Sequence, residues 1–296
     1  MTRGPAFTFE LQSLTPCQAR GDDDAKDGFA LSVSAAKIHP MRIATYNING
    51  IKARLPRLLE WLDETRPDIA CLQEIKTQDE GFPAAEFEKL GYGAIWHGQK
   101  SFNGVAILAR GCQPVETQRG LPGDPEDEQS RYLEADVHGI RVGSIYLPNG
   151  NPQPGPKFDY KLAWMKRLRT HAANLAALEL PMALVGDYNV VPHTHDIWSP
   201  KVMLNDALRQ PESIAAYRTL LSDGWTDALA THYPQGGVWT YWDYQAGAWQ
   251  QDHGFRIDHL LLSPVAADRL VACGVDKEHR GRETPSDHAP TWVELG

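Results

Sequence analysis

The sequence predicts a domain of layered α and β structure across residues 41–296. Short apolar runs recur along this span with helical stretches between several of them. No composition break or repeat period divides it. Nine Trp, ten Tyr and eight Phe are ample to fill the core that such layers need.

Taken in order, the strand-like runs are RIATY (42–46), DIACLQ (68–73), GVAILA (104–109), RVGSIYL (141–147), MALVGD (182–187), IDHLLL (257–262) and APTWVEL (289–295). The longest helical stretch is KFDYKLAWMKRLRTHAANLAALEL. Its apolar residues Leu162, Met165, Leu168, Ala172 and Leu175 step by three and four, which defines one buried face. Leu55–Leu62 and Ser213–Leu221 follow the same period. Pro- and Gly-rich loops, LPGDPEDEQS (121–130) and PNGNPQPGP (148–156), separate the elements.

The first forty residues behave differently. They show neither period, carry the Asp22–Asp24 triplet, and lack the continuous apolar core of a secretory signal. Their acids also argue against a mitochondrial transit peptide. They read as a disordered extension preceding a second methionine, Met41. Hydrophobic residues at 42% and charged residues at 23% exclude wholesale disorder, and no run of 18 apolar residues could span a membrane. The four cysteines, Cys17, Cys71, Cys112 and Cys273, are scattered without zinc or redox spacing. They suggest reduced thiols, and with them a cytoplasmic protein. A net charge of −9 weighs against a tail-driven nucleic-acid binder, yet not against a nuclease whose carboxylates hold a divalent cation.

Most polar candidates share one placement. Asn47 follows RIATY, Glu74 follows IACLQ, Asp187 and Asn189 follow MALVG, and Asp287 and His288 precede APTWV. Strand ends put side chains at the rim of a sheet, on a rigid base. One acid there is ordinarily a turn residue; several carboxylates and amides with an imidazole are not so easily dismissed. Their oxygens are the ligands that hard cations such as Mg²⁺ accept.

LQEIK (72–76), IYLPNG (145–150), GDYNV (186–190), RID (256–258) and SDHAP (286–290) occur in order, opened by ATYNING (44–50). Together they resemble the exonuclease III family of DNA-repair nucleases, within the endonuclease/exonuclease/phosphatase superfamily. The resemblance implies an α+β fold: a two-sheet β-sandwich flanked by helices, as in deoxyribonuclease I. It implies Mg²⁺ (or Mn²⁺) as cofactor and duplex DNA with abasic sites or 3′ ends as substrate, acted on by a monomer away from any membrane. Carried over, it makes Glu74 the principal metal ligand, helped by Asn47 and Asp287, with Asp187, Asn189 and His288 also close to the ion. Asp187 would orient and deprotonate the attacking water, and Asn189 would hold the scissile phosphate. His288, oriented by Asp258, would contact a phosphate oxygen, and Tyr146 would steady the phosphate or the leaving oxygen. An aligned water, neutralised phosphoryl oxygens and help for the departing alkoxide are what phosphodiester cleavage needs.

YWDY (241–244) and GFRID (254–258) resemble the family's pocket segments, so Tyr241, Phe255 and Ile257 would wall a flipped-out abasic sugar. Trp242 and Trp239 could equally be core. Asn149, in the PNG turn, would contact substrate, and Lys157 and Lys161 are plausible phosphate contacts along the following helix start. His193 and His195 suggest a metal pair by spacing, but read as a solvated loop because the family has no ligand there. His97 and His259 read as structural; Lys100 and Arg131 could contact phosphates, with surface charge as the default reading. Two departures stand out. Ile75 replaces a small hydroxyl residue, and Tyr241 stands where bacterial relatives often place Trp. An alternative keeps the fold but acts on an inositol-phosphate or sphingomyelin headgroup. A catalytically silent scaffold is disfavoured, because Glu74, Asp187 and His288 are all retained.

Overall fold

Two β-α-β units organise the molecule, one in each of two sheets. The computed structural model describes residues 14–17 and 40–296. The chain opens with β1 (Met41–Asn47), α1 (Ile51–Thr65), β2 (Ile69–Gln73), α2 (Ala84–Lys89), β3 (Tyr92–His97) and β4 (Val105–Arg110). It continues through β5 (Val115–Arg119), β6 (Tyr132–Val137), β7 (Ile140–Tyr146), α3 (Pro156–Ala176), β8 (Met182–Asp187) and α4 (Pro211–Ser222). The last elements are β9 (Thr226–Asp227), α5 (Ala228–His232), β10 (Asp258–Leu262), α6 (Pro264–Ala267), β11 (Leu270–Val275) and β12 (Thr291–Leu295).

The first sheet runs β11-β12-β1-β2-β4-β3 and the second β5-β6-β7-β8-β10-β9. Each contains one parallel pair, β1 with β2 and β7 with β8. Parallel neighbours need a crossover, which α1 and α3 supply. The inner faces interleave Ile43, Cys71 and Ile107 of the first sheet with Leu133, Val185 and Leu260 of the second. Outside, α1 and α2 cover the first sheet through Leu58, Trp61 and Phe87. On the second sheet α3 and α4 do the same through Trp164, Leu168 and Tyr217. Helices on both outer faces of packed sheets are the architecture that the resemblance implies. Truncating a fully buried aromatic such as Trp61 or Trp164 to alanine should cost about 3–5 kcal/mol.

All seven apolar runs are strands, within a residue or two at each end. The buried face of α3 is rotated from the expected one. Lys161 and Trp164 lie inside with Met165, Leu168, Ala172 and Leu175, while Leu162 is only half-buried. Trp164 is large enough to turn the helix toward it. Gly186 shows why β8 sits where it does: a Cβ there would collide with the carbonyl of Ile145 on β7. Only glycine permits this approach, and its φ of 156° is costly for any other residue.

One expectation fails at the opposite pole. Cys17 is bonded to Cys112, in the turn after β4. Around it, Cys17 N–H donates to the Gln113 carbonyl (2.9 Å) and Gln113 N–H donates to that of Thr15 (2.9 Å). Residues 14–17 are therefore docked on the domain; the rest of the expected disordered extension, before Pro40, lies outside the described residues. The cysteines are 95 positions apart, so no local spacing could announce the pairing. The bridge also removes the support that unpaired cysteines gave to a reducing compartment. Among the described residues, no helix is long and apolar enough to cross a membrane. Alkylation of denatured, unreduced protein should label two thiols, Cys71 and Cys273, of the four that reduction makes available. Four labelled thiols without reductant would refute the bridge.

Candidate active site

The parallel pairs end at the same pole. Asn47 stands opposite Gln73 at the ends of β1 and β2, and Tyr146 opposite Asp187 at the ends of β7 and β8. Two antiparallel strands begin there. Asp258, first residue of β10, pairs with Asp187, and the Ser286–Pro290 segment leads His288 into β12 beside β1. Below this rim, polar side chains tie the sheets together. Thr45 Oγ1 donates to Gln73 Oε1 (3.1 Å), and Gln73 Nε2 donates to Ser144 Oγ (3.1 Å).

The Asn47 amide is the junction. Its Nδ2 donates to Glu74 Oε1 at 2.9 Å and to Asp187 Oδ2 at 3.0 Å, so carboxylates from the two sheets share one nitrogen. Asp187 Oδ1 accepts from the Asn189 N–H (2.9 Å), and Asn189 Oδ1 accepts from Asn149 Nδ2 (3.1 Å). His288 Nδ1 lies 2.8 Å from Asp258 Oδ2, and its Nε2 lies 3.8 Å from Asp187 Oδ2. On the other flank, Asp287 Oδ1 accepts from Asn49 Nδ2 (3.0 Å), and the Lys76 ammonium meets Glu74 Oε2 at 2.7 Å.

Burial and charge set the protonation of these groups. Desolvation pushes Asp187 up to about 7; the charges of Asp258 and Glu74 add to this, and His288 opposes it. Burial works against a charged His288, but Asp258 in contact with it, together with Asp187 and Asp287, raises the imidazole to about 10. Burial disfavours the Glu74 carboxylate as well, yet Lys76 and the Asn47 amide hold its carboxyl below the usual range. Tyr146 is pushed well above its ordinary value by burial and by the charges of Glu74 and Asp187, so it remains a phenol.

The profile of the Endonuclease/Exonuclease/phosphatase family matches residues 44–288. Exodeoxyribonuclease III of Haemophilus influenzae is 34% identical over 267 residues, 86% of this chain and 100% of that protein. This chain belongs to the exonuclease III family. Among solved structures, the 3′–5′ exonuclease NExo of Neisseria meningitidis aligns with a TM-score of 0.84 at 37% identity, covering 86% of this chain and 99% of that one. An AP endonuclease from Archaeoglobus fulgidus aligns with a TM-score of 0.83 at 35% identity, over the same shares.

Exonuclease III relatives form a divalent-metal-dependent nuclease family, and the residues here fit such an ion. Asn47, Glu74 and Asp287 offer oxygen donors alone, the choice of a hard cation. The Lys76 ammonium on Glu74 Oε2 marks the spot as one that stabilises positive charge.

The pocket segments also converge. The Tyr241 ring lies 4.6 Å from that of Phe255 and meets the His288 ring edge-on at 5.0 Å. Beneath them Ile257 packs with Val191, Ile197, Met203 and Leu208 in a small apolar cluster. Trp242 is core, fully buried with its indole N–H on Asp252 (2.9 Å). Ile75 is core too, so that departure from the family falls beneath the site. Lys100 is exposed, as surface charge should be, and Lys157 is exposed at the start of α3. Arg131 is not free surface charge; its guanidinium lies over the Tyr146 ring at 4.7 Å. His259 is structural as expected, buried with Nε2 on the Val190 carbonyl (2.9 Å).

Lys161 corrects the expectation of a phosphate contact. It is wholly buried, and its Nζ donates to the carbonyls of Pro148 (3.0 Å) and Asn189 (2.7 Å). Desolvation lowers it to about 7, while Asp187 and Asp206 pull it back. It thus clamps the two loops that carry Asn149 and Asn189. Its spacing from Phe158, Met165 and Leu168 on the buried face was the available signal. Equally hidden was Arg256, which forks onto Asp196 (2.9 and 3.0 Å) and reaches Asp227 (2.7 Å). This buried pairing anchors the chain two residues before Asp258.

Two outcomes follow from these contacts. A His288 pKa raised from 6.5 to about 10 stabilises the fold fully below the former value, and that contribution is lost as pH rises through the latter. In metal-free protein the His288 ring nitrogens should therefore keep imidazolium chemical shifts between about pH 6 and 8, where an ordinary histidine loses its proton, whatever smaller change the titration of neighbouring Asp187 imposes; a change to neutral-imidazole nitrogen shifts inside that window would overturn the assignment. Lys161→Met keeps the bulk but releases both carbonyls. Its kcat should fall by about 10–100-fold with little change in KM, the scale of a small displacement of catalytic groups. Wild-type kcat in a folded variant would show that the clamp is dispensable.

Proposed function

We propose that this protein is a Mg²⁺- or Mn²⁺-dependent DNA-repair phosphodiesterase that incises duplex DNA at abasic sites and trims 3′ ends, including 3′ phosphates. The observation that carries it is the hydrogen-bonded continuity from Glu74 through Asn47 to Asp187, with the Asp258–His288 pair alongside. The relatives named exodeoxyribonuclease III and AP endonuclease support the same reading.

Each residue then has a chemical part. When bound by Glu74, Asn47 and Asp287, the divalent ion supplies charge neutralisation at the phosphoryl oxygens. Asp187, raised toward neutrality by its buried setting, accepts the proton of the attacking water. The amide of Asn189 orients the phosphate, and Asn149, bonded to it, extends that contact along the backbone. His288 carries a proton on Nε2, and its charge offsets that of a non-bridging oxygen. Asp258 fixes the ring through Nδ1 and keeps it protonated. Because Nδ1 is committed to Asp258 and the ring is charged, we assign His288 to the phosphate rather than to the metal. Tyr146, kept a phenol and backed by Arg131, donates to the departing oxygen.

Tyr241, Phe255 and Ile257 form the lesion pocket. Flipping a normal nucleotide costs a few kcal/mol of unstacking, whereas an abasic site has already lost its base. An apolar recess of three side chains accepts the bare sugar and excludes a base.

The test uses an abasic duplex, a 3′-recessed duplex, and inositol-phosphate and sphingomyelin controls. Incision should require Mg²⁺, disappear with chelator and return on adding Mg²⁺, with no turnover of the controls. Full activity in excess chelator, or preference for a headgroup, would overturn the reading. Phe255→Ala should lower the ratio of abasic incision to 3′ trimming at one fixed salt concentration. An unchanged ratio would place lesion recognition elsewhere.

A further inference from the structure

A second cavity, of about 750 Å³, opens between the His193–His195 segment and α4. Arg209, Arg218, His193 and His195 line it, and none of its lining residues is an acid. That composition is unexpected in a chain where 38 acids outnumber 29 lysines and arginines. Each guanidinium is anchored by one N–H on the facing segment. Arg209 Nη1 donates to the His193 carbonyl (3.0 Å) and Arg218 Nη2 to the Pro192 carbonyl (3.3 Å). Neither has a carboxylate within 4.0 Å among the described residues. A guanidinium carries five N–H donors, so each fork retains most of its donors.

The histidines complete the picture. Their rings stack at 5.0 Å with planes 16° apart, which presents their edges side by side. Among the described residues, neither histidine belongs to a group of three side chains placed to hold an ion. Burial keeps His193 below its usual value; Asp196 opposes this, while Arg256, His195 and Arg218 reinforce it. Positive charge around a neutral imidazole favours an arriving anion over a cation.

We propose that this cavity is a binding site for an oxyanion of the phosphate class, held by Arg209 and Arg218 and flanked by His193 and His195. Planar guanidinium forks match the spacing of phosphate oxygens, and charge-assisted hydrogen bonds of this kind are the strong ones. His193 lies four residues after Asn189 on the same segment. Two sources supply this chemistry: a backbone phosphate of the bound duplex, and a free phosphate or mononucleotide. The inference stands apart from the lesion-specific reading, because inorganic phosphate can be titrated with no DNA present.

The experiment is calorimetric and NMR titration of inorganic phosphate into intact protein held in chelator, so that no metal contributes. Wild type should bind saturably, with the His193 and His195 ring resonances moving toward their protonated positions. Arg209→Gln/Arg218→Gln should weaken this about tenfold or more, and Arg209→Lys/Arg218→Lys should retain part of the affinity. Metal-dependent cleavage by both variants reports that they are folded. The second arm measures duplex affinity against salt. A slope reduced by about 1–2 in the glutamine variant identifies a backbone phosphate as occupant, since each neutralised phosphate contributes about 0.9. An unchanged slope with weakened phosphate binding identifies the free anion. Phosphate that fails to move either ring, or that binds the glutamine variant as tightly as wild type, overturns the proposal.

Discussion

One side-chain amide, that of Asn47, joins the two halves of the proposed reaction centre. Its nitrogen is shared between a carboxylate at the end of a first-sheet strand and one at the end of a second-sheet strand. Glu74 and Asp187 come close because the sheets pack, and they remain usable because the amide satisfies part of each. Without that donor, buried Asp187 and half-buried Glu74 would face each other with little between them, and the cheapest response would be to protonate one. The ladder of Thr45, Gln73 and Ser144 just below performs the same service with neutral groups, holding the sheets in register where apolar packing gives out.

Charge is buried throughout this pole, and each instance is answered differently. Arg256 sits between Asp196 and Asp227, and although burial disfavours the Asp227 carboxylate, the guanidinium holds its carboxyl well below the usual range. Such a network is poor evidence for stability in itself, since desolvation offsets most of the attraction; its value lies in fixing the approach to β10. Lys161 has only carbonyls for partners, and its lowered pKa is the physical record of that. His288 keeps its proton against burial because Asp258 is in contact with it. Three buried basic groups thus position, in turn, the strand that carries Asp258, the loops that carry Asn149 and Asn189, and the imidazole edge that faces Asp187.

Much of this was legible in the sequence, for reasons that can be stated. Central strands buried on both faces read as apolar runs, and those runs led to Asn47, Glu74, Asp187 and His288. Strands β3, β5, β6, β9 and β11 were not singled out. β5 is an exposed edge of sequence VETQR, β6 carries the buried acid Glu134 satisfied by Tyr132 and His171, and β9 has only two residues. β11 has a half-exposed pattern with a register shift, so its apolar letters lack a period. Asn49 and Lys76 lay within the quoted motifs without a role, because their contacts arise only when β1 and β2 are adjacent. Lys161, Arg131 and Arg256 could not be told from surface charges, since burial of a charge is decided by partners far along the chain. The Cys17–Cys112 bridge was invisible for the same reason.

The matching β-α-β units have a consequence for how such a molecule can diversify. The residues proposed to act on the phosphoester lie at strand ends or within four residues of them, on a base that sheet register holds. The walls that would read the substrate, by contrast, hang on connections such as 148–155, 190–206 and 241–257 that leave the same pole. Away from Asp196 and Arg256, which fix the approach to β10, those connections can change length or composition without altering the strand ladders. A lineage built on this scaffold can therefore exchange one phosphoester for another while inheriting its hydrolytic centre intact.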